Sequence, residues 1–316
     1  MHIISYNTIN ASRYPHAMYS KNRTYCVNDI YKLDSFPYTG KKCCIAILDT
    51  GIYPHADLAG QIIFFHDFVS NRTGAYDDNS HGTHVAGIIA GDGSACRGTI
   101  RGMAPSCSII ALKILDKKGN GDKTALLKAC DWIEHNFMKY NIRVVNISIG
   151  SETSDCNEER NEVASAIEAL WDTGLTLVVS AGNSGPGPGT ITFPGTCEKV
   201  ITVGSDTILR PPSSKGSELI SHSGEGPTKC NISKPDLLAP GYNIISCHNK
   251  YNGYTVKSGT SMSTPIVSGA IALFLEKNPY STNETIKNRL KATALDLGLP
   301  KNRQGAGLLS LSHFLG

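Results

Sequence analysis

The chain has 316 residues, 40% of them hydrophobic and 18% charged, with a formal net charge of +3. That composition excludes a disordered or collagen-like chain, and the charge is too small to mark nucleic acid or an anionic membrane as a partner. No stretch approaches the ~20 apolar residues of a membrane span, and a chain this long buries roughly 75% of its unfolded surface, enough for one large core. In chain order, residues 1–40 show weak periodicity and read as an N-terminal extension, packed on the surface or partly mobile. The start, MHIISYNTIN, has no charged and apolar halves of a secretory signal. The expectation is a cytoplasmic protein, or a secreted one if the chain is a trimmed mature form. The ten cysteines then stay free thiols, mostly buried as small apolar side chains, and no Cys-x-x-Cys occurs.

From residue 41 onward a single domain is expected, running to residue 316. Apolar, β-branched runs predict strands at CCIAILD (43–49), SIIALKIL (108–115), VVNISI (144–149), LTLVVSA (175–181) and VITVGS (200–205). Helical periodicity falls between them, at GTHVAGIIAG (82–91), TALLKACDWIEHNFMKY (124–140) and EVASAIEALWD (162–172). Gly and Pro make loops of AGNSGPGPG (181–189) and ILRPPSSKGSE (208–218). Two more helices follow, SMSTPIVSGAIALFLEKN (261–278) and TIKNRLKATAL (285–295), the second with Thr282 as its N-cap. Strand–helix alternation with uniformly apolar strands predicts an α/β fold, a parallel sheet covered by helices on both faces.

The first strand ends in Asp49-Thr50-Gly51, a string that fits two protease chemistries. An aspartic mechanism needs two equivalent strand-end aspartates sharing a proton. The second copy, Asp172-Thr173-Gly174, follows a helical pattern, and Gly174 suits a helix stop. A serine mechanism needs an orienting carboxylate, a histidine base and a hydroxyl nucleophile. Asp49 ends a strand, His81 opens the helix in NSHGTHVAG, and Ser261 opens the helix in GTSMSTP. These are the places where open α/β sheets build sites. The order Asp, His, Ser separates this arrangement from α/β hydrolases, whose Gly-x-Ser-x-Gly is missing here. His81-x-x-His84 lacks the glutamate of a zinc-protease helix, so His84 is expected to be packed and hydrogen-bonded.

ILDTGI, HGTHVAG, SAGNSGP (180–186) and GTSMSTP, in this order, resemble the signature blocks of the subtilisin-like (S8) serine proteases over residues 43–310. YDDNSHGTHVAG (76–87) resembles the intracellular-type bacterial members. The resemblance implies a three-layer α/β/α fold with a mostly parallel sheet of about seven strands. It implies a serine endopeptidase with Asp49, His81 and Ser261 as catalytic residues and Asn183 as oxyanion-hole donor. Substrate would bind along Leu115, Gly119, Asn120 and Gly121 on one side and Ser148, Ile149, Gly150 and Ser151 on the other. The S1 pocket would be lined by Ser148, Ile149, Ser180, Ala181, Gly182 and Thr192, all uncharged, which implies an uncharged or apolar P1 residue. Thr192, where many relatives have glycine, would exclude the largest aromatics. Phe193–Pro194 matches a cis peptide of the family.

Peptide or protein substrates are the implied partners, and no cofactor is required for catalysis. A structural calcium stays open. Asp57 is its candidate ligand, but the loop GDGSACRGTIRG (91–102) carries Arg97 and Arg101 where relatives are oxygen-rich. Two alternatives to a broad endopeptidase remain: a dedicated processor of a leader or precursor, and a non-catalytic relative.

Overall fold

The computed structural model of the chain describes residues 24–151, 158–206 and 222–316. The predicted loop at 208–218, Cys156 and the first part of the N-terminal extension lie outside these residues.

The sheet is built on β1 (Cys44–Asp49), whose six residues are all buried. Around it lie β2 (Ile62–Asp67), β3 (Ser108–Lys113), β4 (Ile142–Ile147), β5 (Thr176–Ser180), β6 (Ile201–Asp206) and β7 (Leu237–Pro240). They form one seven-stranded sheet in the order β2-β3-β1-β4-β5-β6-β7. Every neighbouring pair is parallel. The chain runs from β1 outward to β2, back through β3, then crosses over β1 to β4 and proceeds in one direction. That reversal puts a crevice beyond the carboxyl ends of β1 and β4, where such sheets place their ligands.

Helices α2 (His81–Ala90) and α5 (Thr260–Lys277) pack on each other and on the sheet. Helices α3 (Lys123–Tyr140) and α4 (Glu158–Asp172) form a second packed pair against β4, β1 and β5. The result is three layers, α/β/α. Shorter helices α1 (Val27–Tyr31), α6 (Asn283–Thr293), α7 (Lys301–Gln304) and α8 (Leu311–Leu315) lie around them. An antiparallel hairpin, β8 (Ile244–Cys247) with β9 (Tyr254–Lys257), packs against α2.

Local chemistry accounts for the boundaries. Asp122 caps α3 by accepting the Ala125 N–H at 2.7 Å, and Thr282 caps α6 by accepting that of Thr285 at 3.2 Å. After α4, Gly174 at φ +95° turns the chain, so Asp172-Thr173-Gly174 is a helix stop. β4 starts at Ile142 and ends at Ile147, two residues earlier at each end than the pattern suggests. Its early start follows from Asn141, which ends α3 in the left-handed region at φ 52°.

Residues 24–40 are tied to the core. Tyr25 N–H donates to the Asn243 carbonyl, Ile245 N–H donates back to Tyr25, and Val27 and Leu33 are buried. The successive N–H groups of Thr39, Gly40 and Lys41 converge on Glu276 Oε2 at 2.7, 2.7 and 3.1 Å. The described cysteines carry free thiols, most of them buried, and burial pushes Cys43 and Cys44 up to about 12. No helix among the described residues is long and apolar enough to cross a membrane.

Candidate active site

Strand register assembles the site. Leu48 pairs with Ile147, and Ile147 with Val179. The next row along the carboxyl edge is therefore Asp49, Ser148 and Ser180. Asp49 is 1% exposed and accepts the Thr50 N–H at 2.7 Å. The Nδ1 of His81 lies 2.7 and 2.9 Å from its two oxygens. Nδ1–H donates to the carboxylate, which leaves Nε2 with its lone pair toward the cleft side. Burial pushes the His81 pKa down, but the charge and hydrogen bond of Asp49 outweigh it and hold the pKa above the ordinary value. Lys257 opposes that rise and Asp77 adds to it.

Ser261 is the second residue of α5, directly after Gly259 and Thr260. Its Oγ donates to the Ser148 carbonyl at 2.8 Å, and no hydrogen bond joins it to His81. The carboxylate–imidazole pair is thus formed, while the hydroxyl occupies a neighbouring acceptor. Asn183 lies just past β5. Its Oδ1 accepts the Thr260 N–H at 3.0 Å and the Thr260 hydroxyl at 3.3 Å, so the Nδ2 end of the amide is the one left to donate. The Ser261 N–H sits in the first turn of α5, where no intrahelical acceptor exists.

Two walls flank a cavity of about 410 Å³. One wall carries Leu115, Gly119, Asn120 and Gly121, and the other Ile149, Gly150 and Ser151. Leu126, Val163 and Phe193 give it an apolar lining. The first wall is braced by Asp116, whose Oδ1 accepts the N–H groups of Lys118 and Asn120. Of the remaining expected pocket residues, Ser148 meets Ser261 through its carbonyl. Ser180 Oγ donates to the Ile149 carbonyl at 3.0 Å and pins the ends of β4 and β5 together. Thr192 N–H donates to the Ala181 carbonyl at 3.0 Å. The Thr192 side chain is wedged between Gly150 and Gly182: a Cβ on either glycine would collide with its Oγ1. That hydroxyl is buried and has no hydrogen-bond partner among the described residues. The Phe193–Pro194 peptide is cis.

His84, one turn after His81, is packed. Its Nε2 lies 3.1 Å from both the Ile244 and Thr255 carbonyls, tying α2 to the β8–β9 hairpin. Burial pushes its pKa down to about 3, so it is neutral.

Asp57 stands apart from this row. Oδ1 accepts the Ala95 N–H at 2.7 Å, and Oδ2 accepts the Tyr254 hydroxyl at 2.7 Å and the Cys247 thiol at 3.8 Å. His55 Nδ1 accepts the Asp57 N–H at 3.1 Å, and its Nε2 faces the Gly253 carbonyl at 3.1 Å. Among the described residues, His55, Asp57 and Cys247 are the group whose metal-binding atoms lie within 4.8 Å of one another. Each of those atoms already has a hydrogen-bond partner. Calcium takes six to eight oxygens, and the groups converging on Asp57 are an amide N–H, a phenol and a thiol. The residues present do not fit that ion. The sequence flagged Asp57 but not Tyr254 or Cys247, which lie nearly 200 positions away and carry no local motif.

A model of the subtilase family (peptidase S8) matches residues 40–307. Serine protease AprX of Bacillus subtilis (strain 168) is 41% identical over 270 residues, covering 80% of this chain and 61% of that protein. The chain therefore spans less than two thirds of AprX. Subtilisin Savinase of Lederbergia lenta is 35% identical over 274 residues, 86% of this chain and 90% of that protein. Among solved structures, Sphericase superposes with a TM-score of 0.72 at 28% identity, covering 86% of this chain and 89% of its own. A cold adapted subtilisin-like serine proteinase gives 0.68 at 29% identity, covering 87% and 89%.

The electrostatics of the His81 ring can be measured without any substrate. An NMR titration should place its midpoint above the ordinary histidine value of about 6.5. Asp49→Asn should lower that midpoint, because it removes the charge that favours imidazolium. A midpoint unmoved by the substitution would show that the two side chains are not paired in solution.

Proposed function

The chain belongs to the subtilase family, matched over residues 40–307, and on that premise we propose that it is a serine endopeptidase acting on peptides or proteins. The observation that carries the reading is the pairing of the buried Asp49 with the half-buried His81 at 2.7 Å, on the edge where Ser261 reaches the Ser148 carbonyl. A turn about the Ser261 Cα–Cβ bond trades that carbonyl for His81 Nε2. Ser261 Oγ then attacks the scissile carbonyl carbon, and its proton passes to Nε2. Asp49 holds the tautomer that makes Nε2 the base and stabilises the imidazolium that forms. The oxyanion is met by Asn183 Nδ2 and the Ser261 N–H, donors aimed where charge develops. His81 returns the proton to the leaving amine, and water releases the acyl group by the same steps in reverse roles. Because His81 must start neutral and its pKa is held up, kcat/KM should fall as pH drops through a midpoint above the ordinary histidine range.

The substrate would lie extended between 115–121 and 148–151 as an added strand, read mainly through its backbone. Residues 41–316 make up the peptidase domain in this reading. The wedge of Thr192 between Gly150 and Gly182 supports a shallow, uncharged P1 slot, suited to small or medium apolar side chains. The donor set around Asp57 supports a chain that holds no structural calcium there.

Three experiments test this. A fluorophosphonate probe should label Ser261, and Ser261→Ala should abolish both labelling and peptide hydrolysis. Asn183→Ala should keep labelling competence and fold but lose about 10²–10³ in kcat, the loss typical of removing one oxyanion donor. Hydrolysis surviving in Ser261→Ala would end the assignment.

A P1-scanning peptide library should show a preference for small or medium uncharged residues. Thr192→Gly should extend it to phenylalanine and tyrosine without raising cleavage after alanine. Preference for lysine or arginine in the parent chain would refute this slot.

Melting curves in chelator and in added calcium should coincide. A calcium-dependent rise that Asp57→Asn abolishes would overturn the metal-free reading, since a ligand bound only to the folded state must stabilise it.

A further inference from the structure

One buried carboxylate at the site has no part in the chemistry above. Asp77, 6% exposed, lies in the segment before α2 and carries five hydrogen bonds. Its Oδ1 accepts the Thr50 hydroxyl at 2.9 Å and the N–H groups of Asn79 and Ser80 at 3.0 Å each. Its Oδ2 accepts the Thr83 N–H at 2.9 Å and the Thr83 hydroxyl at 2.6 Å. These partners belong to two elements. Thr50 follows Asp49 at the end of β1, and the others form the entry and first turn of α2, which presents His81. The Thr50 hydroxyl in turn accepts the Gly82 N–H at 2.9 Å, so Asp77, Thr50 and α2 close a ring of hydrogen bonds. Alongside it, Gly51 and Asp77 form an antiparallel bridge.

The segment that Asp77 braces is strained. Ser80, immediately before His81, sits at φ 92° and ψ −6°, a conformation non-glycine residues avoid. It has no side-chain cap of its own. The Asp77 carboxylate takes its N–H and acts as the missing cap from three residues upstream. A neutral group could not accept five donors on two oxygens.

We propose that Asp77 is a positioning residue: it locks the end of β1 to the start of α2 and so holds Asp49 and His81 at contact distance. Burial alone would raise the Asp77 pKa, but the hydrogen bonds from Thr83, Ser80 and Asn79 outweigh it and keep the group ionised. Its charge also reaches the imidazole, where it adds to Asp49 of β1 against Lys257 of β9. His84, on the same helix, is neutral, and His248, on the turn after β8, is held below its ordinary pKa mainly by burial.

This inference rests on the peptidase reading, so its test includes an arm that needs no turnover. Asp77→Asn should lower kcat by about tenfold to a hundredfold, the scale of a sub-ångström to ångström misplacement, with KM nearly unchanged. It should also move the acid limb of kcat/KM, and the His81 midpoint seen by NMR, to lower pH. Thr50→Val breaks the ring but keeps the charge. It should lower kcat and move the His81 midpoint down by less than Asp77→Asn does, because it loosens the Asp49 contact but keeps the Asp77 charge. Loss of activity in Asp77→Asn with an unmoved midpoint would reduce Asp77 to a structural residue and overturn the proposal. So would full kcat in Thr50→Val, which also decides the matter if Asp77→Asn does not fold. An inactive parent chain whose His81 midpoint still shifts in Asp77→Asn would instead count against the peptidase reading alone.

Discussion

The site depends on how closely a helix can approach a strand end. The first turn of α2 lies on the segment leaving β1, and a Cβ at position 82 would collide with the Gly51 carbonyl oxygen and press on Asp49. Only glycine permits that approach. Gly51, at φ +113°, lies against the Tyr76 segment, where a Cβ would collide with the Tyr76 carbonyl oxygen. Two glycines thus set the distance over which an aspartate and a histidine, 32 positions apart, meet at 2.7 Å. Ser261 arrives from the other end of the chain by the same logic: Gly259, at φ +142°, lies against the Asn183 side-chain amide, which a Cβ there would crowd.

Such an edge concentrates buried charge, and its lysine is matched by several acceptors. Lys113 is 1% exposed and stands in register with Asp49 on one side and Asp67 on the other. Its ammonium donates to the Thr50 carbonyl at 2.6 Å, the Leu115 carbonyl at 2.7 Å and Asp78 at 2.9 Å. It therefore grips both the end of β1 and the start of the substrate-facing loop. Lys234, equally buried, does the same at the far side, holding the Val200 carbonyl and Asp236 at 2.8 Å each. Burial lowers its pKa to about 8. Replacing either lysine by an apolar group would leave carbonyls or a carboxylate without a partner, the expensive case for a buried ion pair. These lysines contribute little net stability, but they specify how strand ends and loops meet.

The proposed catalytic residues were legible because each sits in a local string with its own backbone demand: Asp49 in ILDTGI, His81 in HGTHVAG, Ser261 in GTSMSTP. The central strands were legible because burial on both faces leaves them wholly apolar. β2 was not. It is an edge strand with Ile63 47% exposed, and its run ends in His66 and Asp67. β7 is four residues long and ends in Pro240. β8 and β9 are equally short. Nothing in the string separates Asp77 from Asp78. Their roles differ only because one carboxylate turns inward to Thr50 and Thr83 and the other to Lys113. Likewise Asp57 is adjacent in sequence to nothing that explains it, since Tyr254 and Cys247 arrive through the hairpin.

The cleft itself is uneven, and the unevenness has a kinetic consequence. The Thr192 side chain fills the space between Gly150 and Gly182, while the two walls flank a cavity of about 410 Å³ with an apolar lining. A small P1 side chain buries little area, so the bond being cut offers little binding energy of its own. The larger apolar contact would be with Leu115, Leu126, Ile149 and Val163. Binding energy from a remote part of the substrate raises kcat only if it is used to orient the reacting carbonyl. The wall that supplies this contact is hydrogen-bonded to its neighbours on this edge, Ile149 by Ser180 and Ser148 by Ser261. In the proposed reading a substrate filling the cavity would contact Ile149, the residue after the Ser148 carbonyl that accepts the Ser261 hydroxyl, so binding and nucleophile would share one strand end.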